Sequence, residues 1–305
     1  GRRGEWPRAV WGPNAAELAS GPWGDGPDAA PSGDAVTDRI APAETRLRIE
    51  LLGRVSIRTT AGRDVRLLGR HAQALVTLLA LTRRPRTREA IAVDLWPDSA
   101  AISTGPLRQA LYQLRQALVA ADVDPDDILE SDAESLGLRP GAISAMDVDA
   151  FERCTDDPAC GPERAIALYG GDLAEGLGHD CFCAERERLA DRFEDALATV
   201  AAARLADGDI NGARLAAEQL VIRDPLREEA HAVLIAVQGL VGTRSQVVRQ
   251  YRRVSEILAR ELGEVPLPET DATYRLALSR TVQRSRARAE LMDAPTSRPL
   301  AVVSR

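Results

Sequence analysis

The stretch STGPLRQALYQLRQALVAA, residues 103–121, decides how the rest of the chain is interpreted. At 100° per residue its leucines and alanines fall on one side, which predicts an amphipathic helix capped by Ser103 or Thr104. The opposite side carries Arg108, Gln109, Tyr112, Gln113, Arg115 and Gln116. Their amides and guanidiniums can pair with base edges or phosphates in a DNA major groove. Ordinary surface helices also use Gln and Arg, so the neighbouring sequence must decide between the two interpretations.

The sequence around this stretch follows the order of a winged helix-turn-helix. Three short alternating segments, 47–53, 54–59 and 64–69, predict strands, and helical patterns follow at 70–83 and 87–96. Thr87 is the predicted N-cap of the second helix, and Pro97 stops it. Residues 127–131 and 135–141 predict a hairpin after the third helix. We therefore predict a winged-helix DNA-binding domain over 46–140, with 104–120 as the helix that enters the major groove.

The charge distribution agrees with a local binding site for a polyanion. The chain has a net charge of −7 and uses arginine for all 39 of its basic side chains. Residues 46–121 nevertheless hold 13 arginines and 5 acids, whereas the next 13 residues hold 7 acids and no arginine. This pattern excludes a protein that coats nucleic acid along its whole length and favours one basic site in the first domain.

The second half of the chain, residues 148–280, is almost wholly helical in pattern. Gly208 and Gly242 lie 34 residues apart in predicted helix–helix turns, and Pro225 stands where a tetratricopeptide repeat ends a helix. Residues 194–262 therefore predict two helix pairs of tetratricopeptide type, with 162–174 and 269–280 as caps. A plain helical bundle with a chance period is the alternative. The predicted fold class is mainly α with a small β component.

The two ends of the chain lack periodic patterns. Residues 1–45 are rich in Gly, Pro, Ala and Asp and predict a disordered linker, and 281–305 predict a flexible tail. No apolar run reaches the ~18 residues of a membrane span, so we expect no membrane contact and a cytoplasmic location. Because the chain begins with Gly, we expect a fragment whose missing N-terminal part could add a tether.

Four cysteines, Cys154, Cys160, Cys181 and Cys183, are too sparse for a disulfide scaffold and favour a reducing compartment. The segment HDCFC (179–183) combines one His with two Cys, but its Cys-x-Cys spacing does not suit zinc. We expect buried or half-exposed thiols and no metal. No phosphate-binding loop, nucleophile elbow or paired-carboxylate motif occurs, so we expect no cofactor and no enzyme.

The order of these motifs resembles one family closely. The segments GRHAQALVTLLAL, TREAIAVDLWPDSA and GPLRQALYQLRQAL, followed by ILES, SLGLRPG and VDAFERC, resemble the DNA-binding half of SARP-type bacterial transcriptional regulators. ALYGGDLAEGL, CAERERLADRFEDAL and the run from IRDPLREEAH to GEVPLPET resemble the bacterial transcriptional activation domain that follows it. Together they cover about 46–280.

The resemblance implies an OmpR-like winged helix followed by a tetratricopeptide-like domain. It implies a transcriptional activator that binds double-stranded DNA and contacts RNA polymerase or another protein, with a homodimer as one assembly. Carried onto this chain, the recognition helix holds Arg108, Gln109, Tyr112, Gln113, Arg115 and Gln116. Thr87 and Arg88 begin the second helix, where backbone amides and a cation favour phosphate, and Arg70 and His71 begin the first.

The predicted wing departs from the family pattern. Its tip, SDAES (131–135), carries Asp132 and Glu134, which a phosphate backbone repels. This feature favours an alternative function, a protein-interaction or signalling scaffold whose winged helix has weak or lost DNA binding.

Overall fold

The computed structural model describes residues 46–100 and 105–293, which fall into two compact units, 46–196 and 197–293. In the first unit the elements are β1 (Leu47–Glu50), β2 (Ser56–Thr59), α1 (Arg70–Thr82), β3 (Arg86–Thr87), α2 (Arg88–Leu95), α3 (Pro97–Ala100), α4 (Gly105–Ala120), α5 (Pro125–Ile128), β4 (Leu129–Ser131), β5 (Ser135–Leu138), β6 (Ile143–Met146), α6 (Asp147–Asp156), α7 (Pro162–Leu168) and the start of α8 (Cys183–Asp207). The second unit continues α8 and adds α9 (Ile210–Arg223), α10 (Glu228–Val241), α11 (Arg244–Glu261) and α12 (Pro268–Asp293). The predicted linker 1–45 and the caps Ser103 and Thr104 lie outside the described residues.

Two small sheets frame the helices of the first unit. One has the order β2-β1-β6, with β1 antiparallel to β2 and parallel to β6, and the other has the order β3-β5-β4. The hairpin predicted at 127–141 is present as β4 and β5. The strand predicted at 64–69 is not: Asp64 forms only an isolated bridge to Arg58, and Leu68 is 96% exposed. The carbonyl of Leu67 accepts a hydrogen bond from the Gln73 side chain, so the chain turns into α1 instead of extending the sheet.

The buried side of α4 follows the predicted apolar stripe. Leu107, Leu114 and Leu118 are each at most 1% exposed and pack with α1, whose central residues are buried. Burying one leucine side chain stabilises the fold by roughly 1.5–3 kcal/mol, so three leucines hold α4 firmly in one orientation. This packing fixes which side chains of α4 face outward.

The first compact unit extends well beyond the predicted winged helix. The Asp147 carboxylate, at the start of α6, accepts hydrogen bonds from the backbone amides of Leu51 and Leu52 at 2.8 Å. Burial raises the pKa of Asp147, while these amide bonds act in the opposite direction. Farther along, the rings of Tyr169 and Phe193 stack at 4.1 Å. Because these contacts are made within one unit, the boundary between units falls at Ala196 inside α8, and residues 148–196 belong with the winged helix.

Two of the four cysteines correct the expectation of free thiols. Cys154 and Cys160 form a disulfide that joins the end of α6 to the turn before α7. The turn at Asp157, whose carboxylate accepts from the Ala159 amide, brings the two Cα atoms to 4.7 Å, a separation suited to a disulfide. Cys181 and Cys183 are free, and burial raises the pKa of the Cys181 thiol to about 11. No group of side chains suited to a metal ion occurs among the described residues.

The second unit contains the predicted helix pairs. α8 and α9 meet at Gly208, whose φ of +84° favours glycine, and α10 and α11 are joined at Gly242. At the centre, His231 is fully buried: Nε2–H donates to the carbonyl of Pro225 at 2.9 Å, and Nδ1 accepts from the Gln250 amide at 2.8 Å. Burial lowers the pKa of His231. Both ring nitrogens are thereby satisfied in the neutral form.

The tail prediction is corrected for residues 281–293, which are helical. Thr281 is buried, and the Arg284 guanidinium donates to the carbonyl of Gly242 at 2.5 Å, so packing continues past residue 280. The segment has no Gly or Pro before Pro295, so nothing in it interrupts the helix. Residues 294–305 lie outside the described part. In the described ranges, each helix is too short or too polar to traverse a bilayer.

Candidate nucleic-acid interface

The outer face of α4 is the centre of the candidate interface. Four of the six side chains predicted there point to solvent: Arg108, Gln109, Tyr112 and Gln116, with Tyr112 60% exposed. They lie opposite the buried leucines, so one rigid helix presents a guanidinium, two amides and a phenol together. These groups can donate to guanine, exchange hydrogen bonds with adenine, and contact phosphate.

Gln113 is turned away from that face. Its amide packs against Gly69 at the start of α1, where an added Cβ would lie 2.3 Å from the Gln113 Oε1 atom. Gly69 has no side chain to fill this space, and the Gln113 amide occupies it. Gln113 therefore supports the contact between α4 and α1 in this structure.

Arg115 is engaged with an acid from the next element. Its guanidinium lies 3.1 Å from the Asp126 carboxylate on α5, and the Arg115 side chain is 36% exposed. An exposed ion pair of this kind is worth only about 0–1 kcal/mol, so a phosphate can compete with Asp126 for the arginine. Asp126 belongs to the acidic segment that follows the basic block, and this adjacency is the sequence signal that could have indicated the pairing.

The start of α2 is joined to the wing. The Thr87 hydroxyl caps the helix by accepting from the Ala90 amide at 3.2 Å, as predicted. Arg88 does not extend freely into solvent: Nη2 donates to the Ser131 hydroxyl at 2.8 Å, and Nε donates to the carbonyl of Asp132 at 3.0 Å. Arg88 therefore ties α2 to the tip of the β4–β5 hairpin.

The acidic wing tip has a structural basis. The Asp132 carboxylate accepts from the backbone amides of Glu134 (2.8 Å) and Ser135 (2.6 Å) and from the Ser135 hydroxyl (2.8 Å). These hydrogen bonds from Ser135 and Glu134, with the charge of Arg88, lower the pKa of Asp132. Asp132 thus closes the turn, and much of its hydrogen-bonding capacity is used within the wing.

The start of α1 contributes Arg70 and His71, both exposed. The His71 ring contacts Trp96 edge-on with 5.4 Å between centroids. Arg70 makes no ion pair within the described chain and follows Gly69, which contacts α4. Arg70 is therefore free to reach a phosphate beside the face of α4.

Ion pairs reduce the excess charge of the basic block. Arginines of this block pair with acids as follows: Arg58 with Asp64, Arg63 with Asp122, Arg83 with Asp149, Arg86 with Asp94, and Arg115 with Asp126. Three of these acids come from outside the block. The exposed Arg108 and Arg70 have no such partner among the described residues, so the unneutralised charge includes the outer face of α4 and the start of α1.

Comparison with known proteins identifies the helical half. Residues 152–278 match the family model of the bacterial transcriptional activator domain. The matched residues begin within α6 and end within α12.

The fold of the larger part of the chain is also known. The structure of Mycobacterium tuberculosis EmbR in complex with a low-affinity phosphopeptide is similar with a TM-score of 0.58 and 21% identity, covering 81% of this chain and 71% of that one. At this identity the likeness establishes the fold, which extends across the activator domain and beyond it. No curated protein sequence matches the chain significantly. The activator-domain match confirms that part of the predicted resemblance, and the likeness to EmbR agrees with the predicted fold.

Proposed function

We propose that the chain is a DNA-binding transcriptional activator that reads promoter DNA with the outer face of α4. The observation that carries the proposal is the exposed set Arg108, Gln109, Tyr112 and Gln116 on a helix fixed by three buried leucines. Because the helix is rigid, its side chains can form hydrogen bonds with base edges without the cost of ordering a mobile backbone. Arg70, and Arg115 once released from Asp126, would add phosphate contacts at the sides.

The acidic wing is compatible with this role. Asp132 is held by the turn it closes and by Arg88, so its carboxylate is already hydrogen-bonded before DNA approaches. Glu134 is exposed at the tip and would be repelled by phosphates. The wing therefore positions α2 through Arg88 and adds little DNA affinity of its own.

The activator domain would supply the contacts to proteins. Arrays of helix pairs bind protein partners through extended surfaces, and an activator needs a contact with RNA polymerase. The proposed regulator acts in the bacterial cytoplasm and uses no catalysis. A homodimer stays a prediction. Sedimentation of the purified chain would measure its oligomeric state.

The test is selection of bound sequences from random duplex DNA, followed by affinity measurement on the selected site. Arg108→Ala with Gln109→Ala should abolish sequence preference, because each base contact is worth about 1–3 kcal/mol of discrimination. Arg164→Ala, an exposed arginine on α7, is the matched control and should leave binding unchanged. If the double variant keeps the same preference, α4 is not the reader.

A second candidate function is a protein-interaction scaffold with little DNA binding. It is favoured by the internal engagement of Gln113, Arg115 and Arg88, three residues predicted to face DNA. Selection would then enrich no sequence from the random pool, and the purified chain would form a stable complex with a protein partner.

A further inference from the structure

The sequence places a second arginine-rich region in the helical unit. Residues 230–255 and 272–289 contain nine arginines and no Asp or Glu. Four of them, Arg244, Arg249, Arg252 and Arg253, lie within the first ten residues of α11, and the other five lie within α12: Arg275, Arg280, Arg284, Arg286 and Arg288. In a chain with a net charge of −7, this concentration of positive charge calls for an explanation.

The fold brings the start of α11 and the Arg284–Arg286 part of α12 to the same end of the unit. The Arg284 guanidinium donates to the carbonyl of Gly242, just before α11 begins. Arg244 and Arg286 line one cavity of about 360 Å³ together with Thr281, Val282 and Ser285. At 1.5 Å per residue, the four arginines of α11 span about 14 Å from that end. Arg244 thus lies beside the Arg284–Arg286 stretch, and the other arginines of α11 follow from there along the helix.

Six of the nine arginines keep their charge unneutralised. Arg275 pairs with Asp271 at 3.5 Å, Arg284 is bound to Gly242, and Arg280 is half-buried. The other six are exposed and form no ion pair with any residue that the structure describes: Arg244, Arg249, Arg252, Arg253, Arg286 and Arg288. Binding of an anion would reduce their mutual repulsion.

We propose that this end of the helical unit, the α11–α12 arginine surface, binds the phosphate backbone of double-stranded DNA. An extended polyanion fits better than a single phosphate group, because the arginines occupy two helices over several turns. Duplex DNA carries about one negative charge per 1.7 Å of its axis, which can engage several guanidiniums at once. Contacts with phosphates add affinity without sequence preference, so this surface supplements α4 and does not duplicate it.

The inference rests on the proposed function, since it gives the activator a second contact with the same ligand. Its test can be scored separately, because it uses a 40-base-pair duplex of mixed sequence and needs no specific site. The affinity of the full chain is measured at several salt concentrations. The slope of log affinity against log salt reports the number of phosphates engaged, at roughly 0.9 per phosphate.

Arg244→Gln with Arg286→Gln should lower the magnitude of that slope by about 2 and the affinity at 0.1 M salt by roughly tenfold or more. Sequence preference on any selected site should stay the same. Arg260→Gln is the matched control: Arg260 is exposed on α11 but pairs with Glu261 at 2.8 Å, and its loss should leave the slope unchanged. Circular dichroism and thermal melting show that each variant is folded.

An unchanged slope in the double variant overturns the proposal. The same holds if the variant keeps its DNA affinity but loses binding to a phosphorylated peptide, because the surface would then serve a protein ligand. If the chain selects no sequence from random DNA, the proposed function is refuted. The salt slope on the mixed-sequence duplex still decides this inference by itself.

Discussion

Replacing Asp126 by Asn should strengthen DNA binding, because it releases Arg115. The two side chains are paired at 3.1 Å, and both are partly exposed, Arg115 at 36% and Asp126 at 72%. The substitution removes the charge of the side chain. It leaves unchanged the backbone carbonyl of residue 126, which accepts a hydrogen bond from Arg139 at 2.5 Å. The local fold of α5 is therefore retained while the guanidinium is freed.

The size of the gain follows from the strength of the pair. An exposed ion pair contributes about 0.2–1 kcal/mol, which the wild-type chain loses when Arg115 leaves Asp126 for a phosphate. The Asn variant has no pair to break, so its binding should be roughly 1.5- to 5-fold tighter. Because the wild-type chain breaks the same pair to reach the phosphate, the salt slope should stay the same. Fluorescence anisotropy on the selected site at several salt concentrations measures both quantities.

Two controls separate this effect from a general change of charge. Asp127→Asn removes the same charge from the neighbouring position and should give a smaller gain, with no added dependence on Arg115. In a double-mutant cycle on an Arg115→Ala background, Asp126→Asn should raise the DNA affinity no more than Asp127→Asn does. Equal gains for the two Asn variants, or a gain that persists without Arg115, would refute the reasoning.

Three further predictions concern stability. Burial lowers the pKa of His231, so as the pH falls the unfolded chain takes up a proton near pH 6.5 before the folded chain does. The free energy of unfolding in urea should therefore fall as the pH drops below that value. His231→Gln should remove this pH dependence. Gly239→Ala should destabilise the helical unit by about 1–3 kcal/mol in the same assay, because the new Cβ would lie 2.6 Å from that of Ala277; an unchanged midpoint would mean that the helices separate freely. Reducing the Cys154–Cys160 disulfide should lower the stability of the first unit by about 2 kcal/mol, and a Cys160→Ser variant should melt at one temperature with or without reductant.

The fold could be predicted from the sequence where a periodic pattern ran long. The buried leucines of α4, the cap at Thr87 and the hairpin 129–138 all follow from local spacing and capping chemistry. The prediction of a strand at 64–69 was wrong because a short apolar run does not reveal whether a partner strand is available. The helical extension of α12 was missed because an arginine-rich segment resembles a solvated tail until its packing partners are known.

The candidate site was only partly predictable. Helical geometry showed which residues lie opposite the leucines, but it could not show that Gln113 fills the space left by Gly69. Nor could it show that Arg88 and Arg115 find partners in the wing and α5, since these contacts join segments 11 to 44 residues apart. Side-chain pairing across a fold depends on tertiary distance, which a single sequence does not report.

The carboxylate of Asp147 has a practical consequence for dissecting the protein. A fragment cut at residue 140 would lose β6, the parallel neighbour of β1, and the acid that holds the amides of Leu51 and Leu52. Its hydrophobic sheet would be left with an open edge, which invites aggregation. A fragment made to test the proposed DNA binding should therefore extend to about residue 196, so that a poorly behaved short fragment is not mistaken for a domain that cannot bind DNA.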